Sequence, residues 1–284
     1  MSAPALSRPV DGRRVTVVRD RAAVGRVLAD DPVAGCMVAA RVADHGVDPR
    51  GIGGELWTRR RAEDSLCYAG ANLIPLRGTR ADLDAFADQA AATPRRCSSV
   101  VGRSDLVLPM WERLSIHWGP ARDVRDRQPL LALECRPRCG ADPGVRRVRA
   151  DELDAYLVAA VDMFIGEVGV DPRAGDGGRG YRRRVAGLIA AGRAYARFEH
   201  GRVVFKAEVG AQSPAVGQIQ GVWVAPEWRG RGLGTAGTAA VAAAIVAGGR
   251  TASLYVNSYN TVARAAYARV GFREVGTFAT VLLD

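Results

Sequence analysis

The chain lacks most of the features that settle a protein's class at a glance. Aromatic residues are only 6% of its 284 residues, and Lys206 is its single lysine. No apolar run approaches the ~18 to 20 residues of a membrane helix, which excludes a helical membrane span. The opening segment MSAPALSRPVDGRRV has no apolar stretch, so no secretory signal is expected. Five cysteines, an odd number in a long chain, argue against a disulfide framework and for a reducing, cytoplasmic setting. His45, His117 and His200 show no metal spacing. Cys135 and Cys139 have no further Cys or His nearby to complete a zinc set, so they read as linker thiols and no metal is expected.

What is present suits a soluble globular protein: 48% hydrophobic and 25% charged residues, on a length comfortable for two domains. The net charge of +10 is shared evenly between the halves. A nucleic-acid tail would concentrate it at one end, so nucleic acid is disfavoured as a partner and anionic small molecules fit better.

The clearest boundary is CRPRCGADPGVR, rich in Pro, Gly and charge. It divides the chain into a tail over 1–12, a first domain over 13–134, a linker over 135–144 and a second domain over 145–284. In the second domain the patterns predict a strand at Val145–Val148 and a helix N-capped by Asp151. A Gly-rich loop at 175–180, carrying a candidate mobile lid, leads to a helix over Tyr181–Ala191. A hairpin turns at His200-Gly201, and strand Gln218–Val224 follows. Helix Thr235–Ala247, strand Ser253–Val256, helix Val262–Arg269 and strand Gly276–Leu283 complete the domain. The expected class is α+β, a mixed sheet with helices on its faces. The first half repeats this order loosely: a strand at Val15–Val18, helices at Ala22–Leu28 and Val33–Val42, strands at Glu55–Arg59 and Leu66–Leu76, a helix at Ala81–Ala91, a strand at Ser99–Val101 and a helix at Leu106–Leu114.

The strongest chemical signal is Val222-Trp223-Val224-Ala225-Pro226-Glu227-Trp228-Arg229-Gly230-Arg231-Gly232-Leu233-Gly234. A strand stops at Pro226, passes through a glycine-rich turn and opens a helix. The first turn of a helix has free N–H donors and a partial positive charge. Glycines let the main chain approach phosphate oxygens closely, so such a turn suits a pyrophosphate. No Gly-Lys-Ser/Thr follows, which excludes the Walker pattern, and Ser253–Asn257 ends without an acid, which disfavours a dinucleotide-binding fold. Gly51-Ile52-Gly53-Gly54 precedes a strand rather than a helix and reads as a decoy.

The second signal begins about 30 residues on: Asn260-Thr-Val-Ala263-Arg264-Ala-Ala-Tyr267-Ala-Arg-Val-Gly271-Phe272. Asn260 is a good N-cap, and Arg264 and Tyr267 share its helix face. Together, in this order and spacing, the two segments resemble the GNAT superfamily of acetyl-CoA-dependent N-acetyltransferases over residues 145–284. The first half resembles the extra N-terminal domain of some actinobacterial two-domain relatives, as a degenerate GNAT-like domain that shapes the acceptor site or mediates assembly.

The resemblance implies that Arg229 to Gly234 cradle the coenzyme A pyrophosphate. Pantetheine would lie where strand Val222–Val224 parts from strand 253–257. A main-chain N–H near Val222, Trp223 or Val224 would polarise the thioester carbonyl. Asn260 and Arg264 would line the coenzyme, and Tyr267 would protonate the departing thiolate. Many relatives carry a glutamate base on the strand before Val222, but Gln218 and Gln220 stand here. Glu208 and Glu167 are the nearest carboxylates. No cysteine follows Cys139, so direct attack by the amine is favoured over an acyl-cysteine. The missing strand carboxylate keeps a second reading open: a non-catalytic acetyl-CoA sensor or assembly module. Arg182-Arg183-Arg184 is read as a solvated face with some pull on an acidic acceptor, and Trp57, Trp111 and Trp118 as core in preference to the lining of a pocket. The acceptor amine and the oligomeric state stay open, a homo-oligomer included.

Overall fold

A computed structural model describes residues 14–284; the expected tail at 1–12 lies outside them. The chain forms two compact units. The first holds residues up to Asp31, then Asp44–Asp126 and Ala279–Asp284; the second holds Pro32–Ala43 and Arg127–Phe278.

The first unit begins with strand β1 (Thr16–Val17) and helix α1 (Arg21–Asp30), whose N-terminus Asp20 caps. Helix α2 (Cys36–His45) lies mainly in the second unit. A short helix α3 (Pro49–Ile52) leads into β2 (Gly54–Thr58), and an antiparallel meander continues through β3 (Leu66–Gly70) and β4 (Leu73–Arg77). The single strand expected over Leu66–Leu76 is therefore two, because the chain reverses at Ala71-Asn72, where Gly70 N–H donates to the Asn72 carbonyl. Helix α4 (Arg80–Ala91), strand β5 (Ser99–Arg103) and helix α5 (Ser104–Trp118) follow, with β4 and β5 parallel. Strand β6 (Asp123–Leu133) has no counterpart in the sequence reading. Its first half is exposed and charged and Pro129 interrupts it, which hides the strand period.

In the second unit, residues 135–144 join β6 to β7 (Arg146–Arg147). Asp142 ties this connection down by accepting from Arg197 Nη1 at 2.9 Å and donating its N–H to the Ala236 carbonyl. A 3-10 turn over Ala150–Glu152 precedes helix α6 (Leu153–Val168). Asp151 lies inside that turn rather than capping the helix, since Glu152, not Asp151, reaches back to the Arg149 N–H at 2.9 Å. Helix α7 (Arg179–Ala190) starts inside the expected 175–180 loop, after Gly178 turns the chain at φ 83°.

Strands β8 (Ala194–Glu199) and β9 (Arg202–Gln212) form the expected hairpin about His200-Gly201. Strand β10 (Val216–Val224), helix α8 (Leu233–Ala247), strand β11 (Thr251–Tyr255), helix α9 (Thr261–Val270) and strand β12 (Arg273–Leu282) complete the chain. The sheet order here is β12-β6-β11-β10-β9-β8-β7. Side chains alternate across it: Tyr195 joins α8 and α9 in one core, while Ala194 and Ala196 join α6 and α7 in the other.

Candidate functional site

The site of the second unit starts from a fork in its sheet. Strands β10 and β11 run parallel through Val216–Thr251, Gly217–Ala252 and Gln218–Ser253, and there the ladder stops. Beyond that rung β11 stays paired to β6 and β10 to β9. The facing edges of the two central strands are thus left open. At the last rung Gln218 Nε2 and Ser253 Oγ are buried without a hydrogen-bond partner.

A bulge shapes β10 above the fork. Gln220 pairs with Glu208 and Trp223 with Lys206, so Gly221 and Val222 together face Ala207 alone. Gly221 adopts φ 58°, and an added Cβ would stand 3.0 Å from Met163 Cε and 3.1 Å from Lys206 Nζ. Past the bulge, Ala225 donates to the Val204 carbonyl on the β9 side. Strand alternation then turns the main-chain groups of Val222 and Val224 toward the open edge. Arg229 Nε bonds the Val224 carbonyl there at 3.1 Å. Val222 and Val224 pack toward α8 and α9, and Trp223 toward α6 and α7.

The turn after β10 ends at the N-terminus of α8. Gly230 and Gly232 have φ of 75° and 79°, conformations that favour glycine. Among the described residues, the N–H groups of Gly230, Arg231, Gly232, Leu233 and Gly234 find no protein acceptor; the next two, of Thr235 and Ala236, bond to Gly232. This row of free donors at a helix N-terminus, beside an open strand edge, fits a diphosphate. Arg231 stacks over the Trp228 ring at 5.3 Å, and Leu233 is buried in the core.

Helix α9 supplies the other wall. Asn260 Oδ1 accepts from the Ala263 N–H at 3.1 Å and caps the helix as expected. Arg264 does not share an inward face with Tyr267: it is exposed and turns back to the Ser258 carbonyl at 3.1 Å. Tyr267 is buried among Val256, Phe272 and the partly buried Val222 and Val224. Its hydroxyl has no hydrogen-bond partner among the described residues. Burial pushes its pKa above the ordinary phenol value, and the Glu167 charge adds to the shift. Glu167 itself is exposed on the last turn of α6.

Glu208 lies deep in the unit. Lys206 Nζ donates to it at 2.9 Å, Gln220 Nε2 at 3.3 Å and the Tyr156 hydroxyl at 3.4 Å, and Arg184 Nη2 stands 3.5 Å away. Burial alone would raise its pKa, but Lys206 and Arg184 outweigh that and hold it below the usual carboxylate value. This environment keeps a fixed anion rather than a group that cycles a proton. The sequence reading missed Lys206, Arg184 and the bulge; the one signal was the lone lysine, set in a strand of apolar neighbours. Of the tryptophans, Trp57 is core and also lines a cavity, as does Trp118.

The first unit repeats the strand–helix–strand arrangement in β4, α4 and β5 but not the donors. Asp82 fills the N-terminus of α4, accepting from the Thr79 N–H at 2.9 Å and hydroxyl at 2.6 Å, and is itself buried beside Arg59. A bound anion there would meet that carboxylate.

Residues 202–281 match the model of the FR47-like protein family, and residues 54–156 match a domain of unknown function, DUF4081. A search of curated proteins finds no match. Similar solved structures include a GNAT-family acetyltransferase from Colwellia psychrerythraea, at 10% identity and TM-score 0.55, covering 95% of this chain and 100% of that one. A Drosophila protein has 13% identity and TM-score 0.65 over 95% and 98% of the two chains. A tandem GNAT protein from the clavulanic acid biosynthesis pathway has 15% identity and TM-score 0.50, again over 95% and 98%. At these identities the likeness is one of fold. Residues 202–281 thus match the FR47-like family model, and the chain shares the fold of GNAT-family structures that it covers nearly end to end.

Proposed function

We propose that residues 145–284 form an N-acetyltransferase domain that moves an acetyl group from acetyl-CoA to an amine by direct attack, and that residues 13–134 form a degenerate domain of the same fold. The observation that carries this reading is the fork after the Gln218–Ser253 rung, with free N–H groups from Gly230 to Gly234 beside it. Those N–H groups would hold the diphosphate. The open edge of β10 would hydrogen-bond the pantetheine arm, and the Val222 or Val224 N–H would donate to the thioester carbonyl as negative charge grows on it. Asn260 and Arg264 would flank the coenzyme.

Tyr267 would give its proton to the leaving thiolate. In water the transfer from a phenol (~10) to a thiolate (~8.5) is uphill by ~2 kcal/mol. Burial raises both groups, so the balance rests on how dry the thiolate is. Glu208 is spent on Lys206, so Glu167, exposed and close enough to influence Tyr267, is the better candidate to accept the amine's proton, through water. Acetyl-CoA supplies the activated acyl group.

The locked Glu208 and the glutamines at 218 and 220 favour one competing reading, a domain that binds acetyl-CoA without turnover. Free-thiol release from acetyl-CoA against a panel of small amines, peptides and proteins separates the two. Release with any acceptor supports transfer. Thermal stabilisation by acetyl-CoA with no release across the panel supports the binding module.

A further inference from the structure

A cavity of about 570 Å³ opens within the first unit, far along the chain from the coenzyme motifs. It falls in the usual size range of small-molecule sites. Its walls come from the start of α3, the strands β2 and β3 with the first residue of β4, the C-terminal turn of α4 with the loop to β5, and the last residue of α5. The sequence reading set aside Gly53 and Gly54 as part of a decoy, yet both line it.

The lining has a definite chemistry. Trp57 and Trp118 supply two indoles. Arg50, Arg95 and Arg96 supply three cations, and Glu55 is the one acid among the lining residues. Glu55 is already used: Trp57 Nε1 donates to its Oε2 at 2.8 Å, which fixes the indole and satisfies its N–H. Arg95 donates to the Asp284 carbonyl. Arg50 and Arg96 have no hydrogen-bond or ion-pair partner among the described residues, whereas Arg59, Arg77, Arg80, Arg103 and Arg113 of the same unit each hold a carboxylate.

Each class of ligand meets this lining differently. A cation would face a positive surplus. A neutral apolar molecule would strip water from guanidinium groups and give nothing back. An acid with a flat apolar body satisfies both parts, since guanidinium–carboxylate bonds are strong and directional and indoles stack on planar rings. We propose that the first unit binds a small aromatic carboxylic acid in this cavity, with its carboxylate met by Arg50 and Arg96 and its ring packed against Trp57 and Trp118.

Calorimetric titration of the full chain with 2-naphthoate tests this. One site is expected, binding 2-naphthoate at least about tenfold tighter than the neutral 2-naphthylmethanol. Arg50→Ala and Arg96→Ala, both exposed positions, should each weaken naphthoate and leave the alcohol unchanged. Saturating coenzyme A should not displace it. Absence of binding at about 1 mM, equal affinity for acid and alcohol, full affinity in the double Arg50→Ala/Arg96→Ala variant, or displacement by coenzyme A would each overturn the proposal. Unfolding curves of the variants, matched to the unmodified chain, secure the comparison.

Discussion

Lys206 Nζ stands 2.9 Å from Glu208 Oε1, with both side chains sealed from solvent. The pair lies beneath the bulge at Gly221, so it holds in place the strand segment that would face the thioester. Removing Lys206 leaves the buried Glu208 carboxylate with only the more distant Arg184, 3.5 Å away, as a charged partner. Lys206→Met should therefore destabilise the protein by about 3–5 kcal/mol, and the double change Lys206→Met/Glu208→Met should recover much of that. Urea unfolding of the three proteins checks both statements.

Gly221→Val should weaken activity more than stability. The valine would have to hold φ 58° and displace Met163 and the Lys206 ammonium. Backbone strain of this kind costs of order 1–3 kcal/mol. The expected readout is a folded protein with acetyl transfer reduced at least tenfold; wild-type turnover would detach the bulge from function.

Gly232→Glu should abolish coenzyme binding, because it sets a carboxylate beside the free N–H groups and forces a side chain onto φ 79°. Calorimetry with coenzyme A is the measurement, and unchanged affinity would remove the cradle.

Tyr267→Phe should lower kcat by about 10²-fold and spare coenzyme affinity, the size expected for loss of a general acid. Full turnover in this variant would take the proton-donor role from Tyr267.

Glu152 yields a pH dependence. Hydrogen bonding from Arg146 is the main cause that lowers its pKa to about 2, against a usual value of ~4.3. A depressed carboxylate stabilises the fold fully above its usual value and loses that contribution as pH falls through the folded value. Glu152→Gln should thus be less stable than the unmodified chain at pH 7, and the gap should close as pH approaches 2. Unfolding curves across that range give the answer.

The parts of the site that were legible in the sequence are those whose chemistry is local. Gly230 and Gly232 announce a left-handed turn, Asn260 announces a helix start, and Gly271 ends that helix at φ 109°. The alternating hairpin β8–β9 was equally plain. What escaped depends on distant partners. Lys206 and Glu208 sit two apart on one strand and look like a solvated edge until α6 and β10 close over them. The β10 bulge is invisible because Gly221 reads as an ordinary strand residue until its partner strand is in place. Strand β6 was hidden by the charged residues of its exposed half. Arg50, Trp57, Arg96 and Trp118 come together from separate segments, with no period or motif to link them.

The division of the chain between its units sets an order of assembly. Ala279, Val281 and Leu283 sit in the same core as Phe86, Val100 and Met110. Cys36 and Ala40, encoded near the start, pack against Ala211 and Val216. A ribosome has to make the chain through Leu283 before the first unit can close, so that unit matures after the strands and helices of the second unit have been translated. A gene fragment cut at the middle would yield two unfinished pieces.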